Sequence, residues 1–190
     1  MEEHKFPYES FIGGWYIDPK ICDGIVDIFK ENPQEQRPGV IGGPFSVNKK
    51  SKDSIDIGVD PHWKEPRYWA WKQALKECCT LYEEKYPELS HFKPWGLVEG
   101  VNIQYYPPGG GYFVPHFERG SIHENRNLVF MTYLNDVPEG GTHFKYQKLT
   151  TPAKKGLTLI WPTDFTHVHS GQITKEHEKY IITGWFGFLK

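Results

Sequence analysis

The chain is short of cysteine, of long apolar runs and of net charge, and each shortage removes a class of protein. It has three cysteines, Cys22, Cys78 and Cys79. An odd count with an adjacent pair makes a poor disulfide framework, so reduced thiols in a cytoplasmic compartment are expected. No apolar run approaches the roughly 20 residues that span a bilayer, and no membrane partner is expected. The opening MEEHKFPYES is acidic and polar, unlike a signal peptide. A formal net charge of −2 gives no electrostatic basis for a nucleic-acid partner. Internal repeats and low-complexity tracts are also missing. What the chain does have is aromatic residues, 16% of the total and seven of them Trp, so its core must be largely aromatic. A length of 190 residues suits one domain with a sizeable core.

The two halves differ in texture. Asp18 followed by Pro19 reads as an N-cap and first helical residue, and Ile21, Ile25, Ile28 and Phe29 then recur at helical spacing. Asn32-Pro33 ends that helix. Residues 33–54 read as a long loop and 54–59 as a short strand. A second helix is expected from about Pro66, with Tyr68, Trp71, Leu75, Cys78 and Tyr82 on one face, until Pro87 stops it. Cys78 and Cys79 read there as apolar fillers. From Trp95 onward, segments rich in Val, Ile, Tyr, Phe and Thr alternate with Gly/Pro turns. The expected strands are 99–106, 112–118, 127–134, 142–147, 157–161, 165–169 and 179–188. Many short strands point to a sandwich or barrel, with the two helices against one face. Residues 1–94 would then be a helical support region and 95–190 a β core, within one domain.

His116 and Glu118 stand two apart in an expected strand, so both side chains can reach one point. His167 and His169 have the same relation later. Two imidazoles and one carboxylate on one face of a metal leave the other positions open, the ligand set of an Fe(II) oxygenase. A bare H-x-E pair is weak, since strands often carry His and Glu on a solvent face. Lys179 adds to it. It lies ten residues after His169 in the strand KYIITGWF, and a return strand would bring it back beside His169. An inward lysine among apolar neighbours needs an anion, and the far carboxylate of a dicarboxylate cosubstrate would serve. A solvated edge charge is the plain alternative.

The segments NIQYYPPGGGYFVPHFE, RNLVFMTYLND, EGGTHF, KKGLTLIWP and HVHSGQITKEHEKYIITGWF, in that order, resemble the Fe(II)/2-oxoglutarate-dependent oxygenases, and most closely the prolyl 4-hydroxylase-type branch. The likeness covers residues 101–188. It implies a double-stranded β-helix, a jelly-roll or cupin-like barrel buttressed by N-terminal helices, mainly β within an α+β chain. It implies Fe(II) on His116, Glu118 and His169, with 2-oxoglutarate and O₂ as cosubstrates; ascorbate dependence stays open. Lys179 would bind the far carboxylate of 2-oxoglutarate, Tyr106 would hydrogen-bond it, and Thr183 would line the same pocket. Tyr112, Arg126 and Trp185 match positions near the substrate groove. The implied reaction is hydroxylation of a prolyl residue in a peptide or protein.

In that branch the carboxylate ligand is normally Asp. Glu118 departs from it and makes a free amino acid or other small molecule the alternative substrate. The retained carboxylate argues against halogenation. His167 competes with His169 as ligand, and the interval to Lys179 favours His169. His143 reads as a surface or satisfied histidine, and His123 and Glu124 as loop residues near the mouth. Two other classes stay open: a non-catalytic metal-binding jelly roll, and a zinc hydrolase, which shares the ligand types but gives Lys179 no task.

Overall fold

The computed structural model describes residues 1–41, 46–91 and 93–189. Both helices start as the sequence predicts. Asp18 accepts the Lys20 amide on Oδ1 at 2.9 Å and Pro19 opens the helix Pro19–Glu31. Glu65 accepts the Tyr68 amide at 2.9 Å and Pro66 opens the helix Pro66–Lys85, which stops before Pro87. Each lays an apolar face on a large antiparallel sheet. Its nine strands run in the order Glu2–Glu3, Gly13–Tyr16, Leu157–Pro162, Arg126–Tyr133, Lys179–Phe188, Val101–Tyr106, Ile55–Val59 and Arg37–Pro38, with Trp95–Leu97 attached to Lys179–Phe188. A three-stranded sheet, Leu149–Thr150, Thr142–Phe144 and His169–Gly171, packs against the other face. Phe144 of this small sheet meets Trp161 of the large one edge-on, ring centroids 5.4 Å apart. Two facing antiparallel sheets with helices outside one of them make the double-stranded β-helix.

The core divides along the large sheet. Trp71, Tyr68, Ile25, Ile28, Ile103, Phe130 and Ile182 form an aromatic-rich layer between helices and sheet. Val129, Met131, Tyr133, Phe144, Leu159 and Trp161 fill the space between the sheets.

Five expectations need correction. Residues 112–118 do not form one strand. Only Gly111–Tyr112 pairs, with Lys52–Asp53, and His116 then makes a single bridge to His169. Pro115 has no amide to continue a ladder, and the amides of Glu118 and Arg119 both donate to the Thr163 carbonyl at 3.0 Å, which bends the chain. Residues 165–169 are split: Phe165–His167 is a 3₁₀ turn closed by the His167 amide on the Asp164 carbonyl at 2.8 Å, and the strand begins at His169. The strand expected over 142–147 stops at Phe144, where a turn ending at Lys148 (φ 51°) reverses the chain into Leu149–Thr150. Lys179 does not return by a hairpin. His169–Gly171 belongs to the small sheet and Lys179–Phe188 to the large one, so residues 172–178 cross between sheets. The loop expected over 33–54 holds the short strands Arg37–Pro38 and Lys52–Asp53, and residues 42–45 of it lie outside the described residues.

Candidate active site

The bridge between His116 and His169 is the seed of the site. Their amides exchange hydrogen bonds with each other's carbonyls at 3.0 and 2.9 Å, so the two rings start from adjacent backbone. Each ring is then oriented by its own chain. His116 Nδ1 lies 2.9 Å from the Val114 carbonyl, and His169 Nδ1 lies 2.9 Å from the His167 carbonyl. A carbonyl only accepts, so both Nδ1 atoms carry a proton, and in the neutral rings both Nε2 atoms present a lone pair. Glu118 Oε1 stands 3.2 Å from His116 Nε2 and 3.5 Å from His169 Nε2. The three donor atoms lie within 4.8 Å of one another. Burial pushes the Glu118 carboxyl up, but without an ion the two rings can also take a proton at Nε2, and hydrogen bonds and charge from His116 and His169 in that form outweigh burial and hold the carboxyl well below its ordinary range. Two imidazole nitrogens and one carboxylate oxygen, with lone pairs converging, fit an Fe(II) ion that keeps open positions.

Neighbours lock this arrangement. Tyr112 stacks on the His116 ring at 3.9 Å and 23°, and Trp161 meets His169 edge-on at 5.2 Å. Arg126 approaches the other oxygen of Glu118, with Nη1 3.6 Å from Oε2. The guanidinium is itself fixed by two hydrogen bonds to Glu99, at 2.8 and 2.7 Å, and lies over the Trp185 ring at 3.5 Å.

A cavity of roughly 850 Å³ opens from these ligands toward Tyr106, Thr183 and Lys179. Lys179 is only 5% exposed, and Nζ donates to the carbonyls of Gly140 and Gln172, both at 3.1 Å. Burial pulls its pKa down to about 8. Three buried cations line the cavity among the described residues. Lys52 is paired with Asp56 and Arg126 with Glu99, while Lys179 has carbonyls and no carboxylate. That is a fitting place for the far carboxylate of 2-oxoglutarate.

The structure thus brings His116, Glu118, His169, Lys179, Tyr106, Thr183, Tyr112, Arg126 and Trp185 to one cavity. His167 is not with them. Its Nε2 lies 2.9 Å from the Ser10 carbonyl and its Nδ1 2.9 Å from the Thr166 hydroxyl. His143 pairs with the Thr150 hydroxyl, and His123 reaches the cavity lining. Sequence reasoning passed over Glu99, Lys52, Asp56 and Gln104. Strand alternation held a signal for two of them: Asp56 sits between Ile55 and Ile57, and Gln104 stands two before Tyr106.

Residues 101–187 match the model of the 2OG-Fe(II) oxygenase superfamily. No curated protein sequence matches the chain. Among solved structures, a Pseudomonas putida prolyl-4-hydroxylase superposes with a TM-score of 0.71 at 15% identity, covering 95% of this chain and 94% of that one. A viral collagen prolyl hydroxylase from Paramecium Bursaria Chlorella virus-1, in a 2OG complex, gives 0.69 at 17% identity, covering 94% and 97%. A Trichoplax adhaerens prolyl hydroxylase, bound to a peptide fragment of the hypoxia inducible factor oxygen degradation domain, gives 0.75 at 12% identity, covering 94% and 84%. These identities speak for the fold, while the superfamily match spans the segment that carries His116, Glu118, His169 and Lys179. Residues 101–187 are thus similar to the 2OG-Fe(II) oxygenase superfamily, and the chain as a whole has the fold seen in these prolyl hydroxylases.

Proposed function

We propose that this dioxygenase hydroxylates a C–H bond of a prolyl residue in a peptide or protein. In the balanced reaction, substrate C–H, 2-oxoglutarate and O₂ give the alcohol, succinate and CO₂. His116, Glu118 and His169 would hold Fe(II), which supplies the O₂ activation when bound. The work of the chain is to bind and orient. Lys179 pairs with the far carboxylate of 2-oxoglutarate and fixes how deep it sits. Arg126, clamped by Glu99, keeps the second oxygen of Glu118 engaged and shapes the mouth with Trp185. The Trp185 ring lines the cavity, and its indole N–H, shielded from solvent, has no partner among the described residues.

The observation that carries the reading is the pairing of the converged ligand atoms with Lys179, the buried cavity cation that lacks a carboxylate. The prolyl hydroxylase fold, and the peptide bound to one such neighbour, support a peptidyl-proline substrate. Glu118 in place of the branch-typical Asp favours a second reading, hydroxylation of a free amino acid. The free thiols of Cys22, Cys78 and Cys79 accord with a cytoplasmic setting. The test is anaerobic reconstitution with Fe(II) and 2-oxoglutarate, admission of O₂, and screening of proline-containing peptides and free amino acids for a gain of one oxygen. Succinate production unchanged in His116→Ala and Glu118→Ala would sink the assignment of the site.

A further inference from the structure

Tyr106 stands opposite Lys179 across neighbouring strands, and Lys179 Nζ lies 5.4 Å from its ring centroid. A carboxylate only accepts hydrogen bonds, so Tyr106 can serve one only by giving its single hydroxyl proton. That proton is committed elsewhere. The Tyr106 hydroxyl donates to Gln104 Oε1 at 2.7 Å, in a buried setting. The direction is fixed from the far end of a chain of polar groups. Lys52 Nζ donates to Asp56 Oδ2 at 2.6 Å, and the Ser54 hydroxyl donates to Oδ1 at 2.8 Å. Gln104 must therefore turn its NH₂ toward Oδ2, at 3.2 Å, and show its carbonyl to Tyr106. A flipped Gln104 would set oxygen against oxygen at Asp56. Thr183 is committed too, donating to the Phe130 carbonyl at 2.8 Å. Of these three groups, only the Lys179 ammonium has a proton left, since it carries three and the structure uses two.

We propose that Gln104 is an affinity-setting residue: it holds the Tyr106 hydroxyl proton away from the cosubstrate and leaves Lys179 as the donor to the far carboxylate. This rests on the placement of that carboxylate at Lys179. Gln104 acts through Tyr106 and is a positioning residue. The consequence runs against the usual effect of losing a polar group in a binding pocket. Removing the acceptor at 104 frees a donor and tightens binding.

The experiment is calorimetric titration of 2-oxoglutarate into the full chain loaded with Mn(II) under anaerobic conditions, so that no turnover intervenes. Tyr106→Phe alone should change Kd by less than about twofold, because the lost proton served Gln104. Gln104→Leu and Gln104→Met should each tighten binding about tenfold, the scale of one hydrogen bond to a charged group. Adding Tyr106→Phe to Gln104→Leu should erase that gain. A general loosening of the fold cannot produce a gain that depends on the hydroxyl at 106. If Tyr106→Phe alone weakens binding about tenfold and neither 104 variant tightens it, the hydroxyl already serves the ligand and the proposal fails. Lys179→Met separates the two levels. Loss of binding in that variant keeps the carboxylate placement whatever happens at 104. Wild-type binding in it ends both.

Discussion

The two faces of the large sheet are built from the same strands and put their polar groups to different uses. Along Lys179–Phe188, Tyr180, Ile182 and Phe186 join the layer under the helices, while Lys179, Ile181, Thr183 and Trp185 line the cavity. Along Val101–Tyr106, Ile103 and Tyr105 pack toward the helices, and Asn102, Gln104 and Tyr106 face the cavity. On the helix side polar atoms pair mostly within the fold: Trp71 Nε1 donates to the Thr132 hydroxyl at 3.1 Å, which is 2.8 Å from the Thr158 hydroxyl, while the buried Tyr68 hydroxyl has no partner among the described residues. The cavity side keeps groups that await something from outside, namely the converged donor atoms of His116, Glu118 and His169 and Lys179 without a carboxylate. One face stores stability and the other stores binding capacity, one residue apart in sequence.

Substitutions on the two faces should therefore fail differently. Glu118→Ala removes a ligand that both imidazoles face. Since outer partners of metal ligands already cost about 10–100-fold, loss of the ligand should cut iron-dependent succinate formation by more than about 100-fold, with metal content measured alongside. Trp71→Ala on the helix side should cost about 3–5 kcal/mol in a urea melt, yet leave the metal affinity of the folded protein alone. If metal binding drops in step, the two faces are not separable. Lys179→Met should weaken 2-oxoglutarate binding by about 2–5 kcal/mol, as for a buried charge pair losing one partner, with metal binding intact.

The same lysine sets a pH dependence. Its pKa of about 8 lies below the ordinary 10.5, so the cavity disfavours the charged form. The ligand-free fold should then gain stability as pH rises from about 8 toward 10.5. Affinity for the dianion should fall over the same range, by up to about tenfold per pH unit, a slope that Lys179→Met should abolish. Smallest is Thr132→Val, which removes the link between Trp71 and Thr158 and should cost about 1 kcal/mol of stability, with 2-oxoglutarate affinity unmoved.

Local signals told most where the physics was local. Asp18-Pro19, Pro66 and Pro87 set the helix limits because capping and proline sterics act within a few residues. The last strand was legible to the residue, 179–188, because a long run of β-branched and aromatic residues leaves little choice. The site was legible through motif order and not through strand geometry. His116 and Glu118 do converge, although a bent segment and not a strand brings them together. The 3₁₀ turn at Phe165–His167 carries no Gly or Pro to announce it, and it is what removes His167 from contention. Glu99 with Arg126, and Asp56 with Gln104, were out of reach for a different reason. The partners are 27 and 48 residues apart, and Asp56 opposes Gln104 only once the strand register is known.

Each iron-facing imidazole is tied at Nδ1 to a carbonyl two residues earlier in its own chain. The acceptors are backbone carbonyls and the ties owe nothing to an ion, so emptying the centre should neither turn the rings nor scramble their tautomers. Such a centre should be open to stripping and refilling in solution without refolding. It also has little means of refusing zinc or copper, which rank above ferrous iron for nitrogen and oxygen donors. Which ion the protein carries is then settled by supply at the time of loading, and chelation followed by ferrous rescue should restore material purified in a dead form.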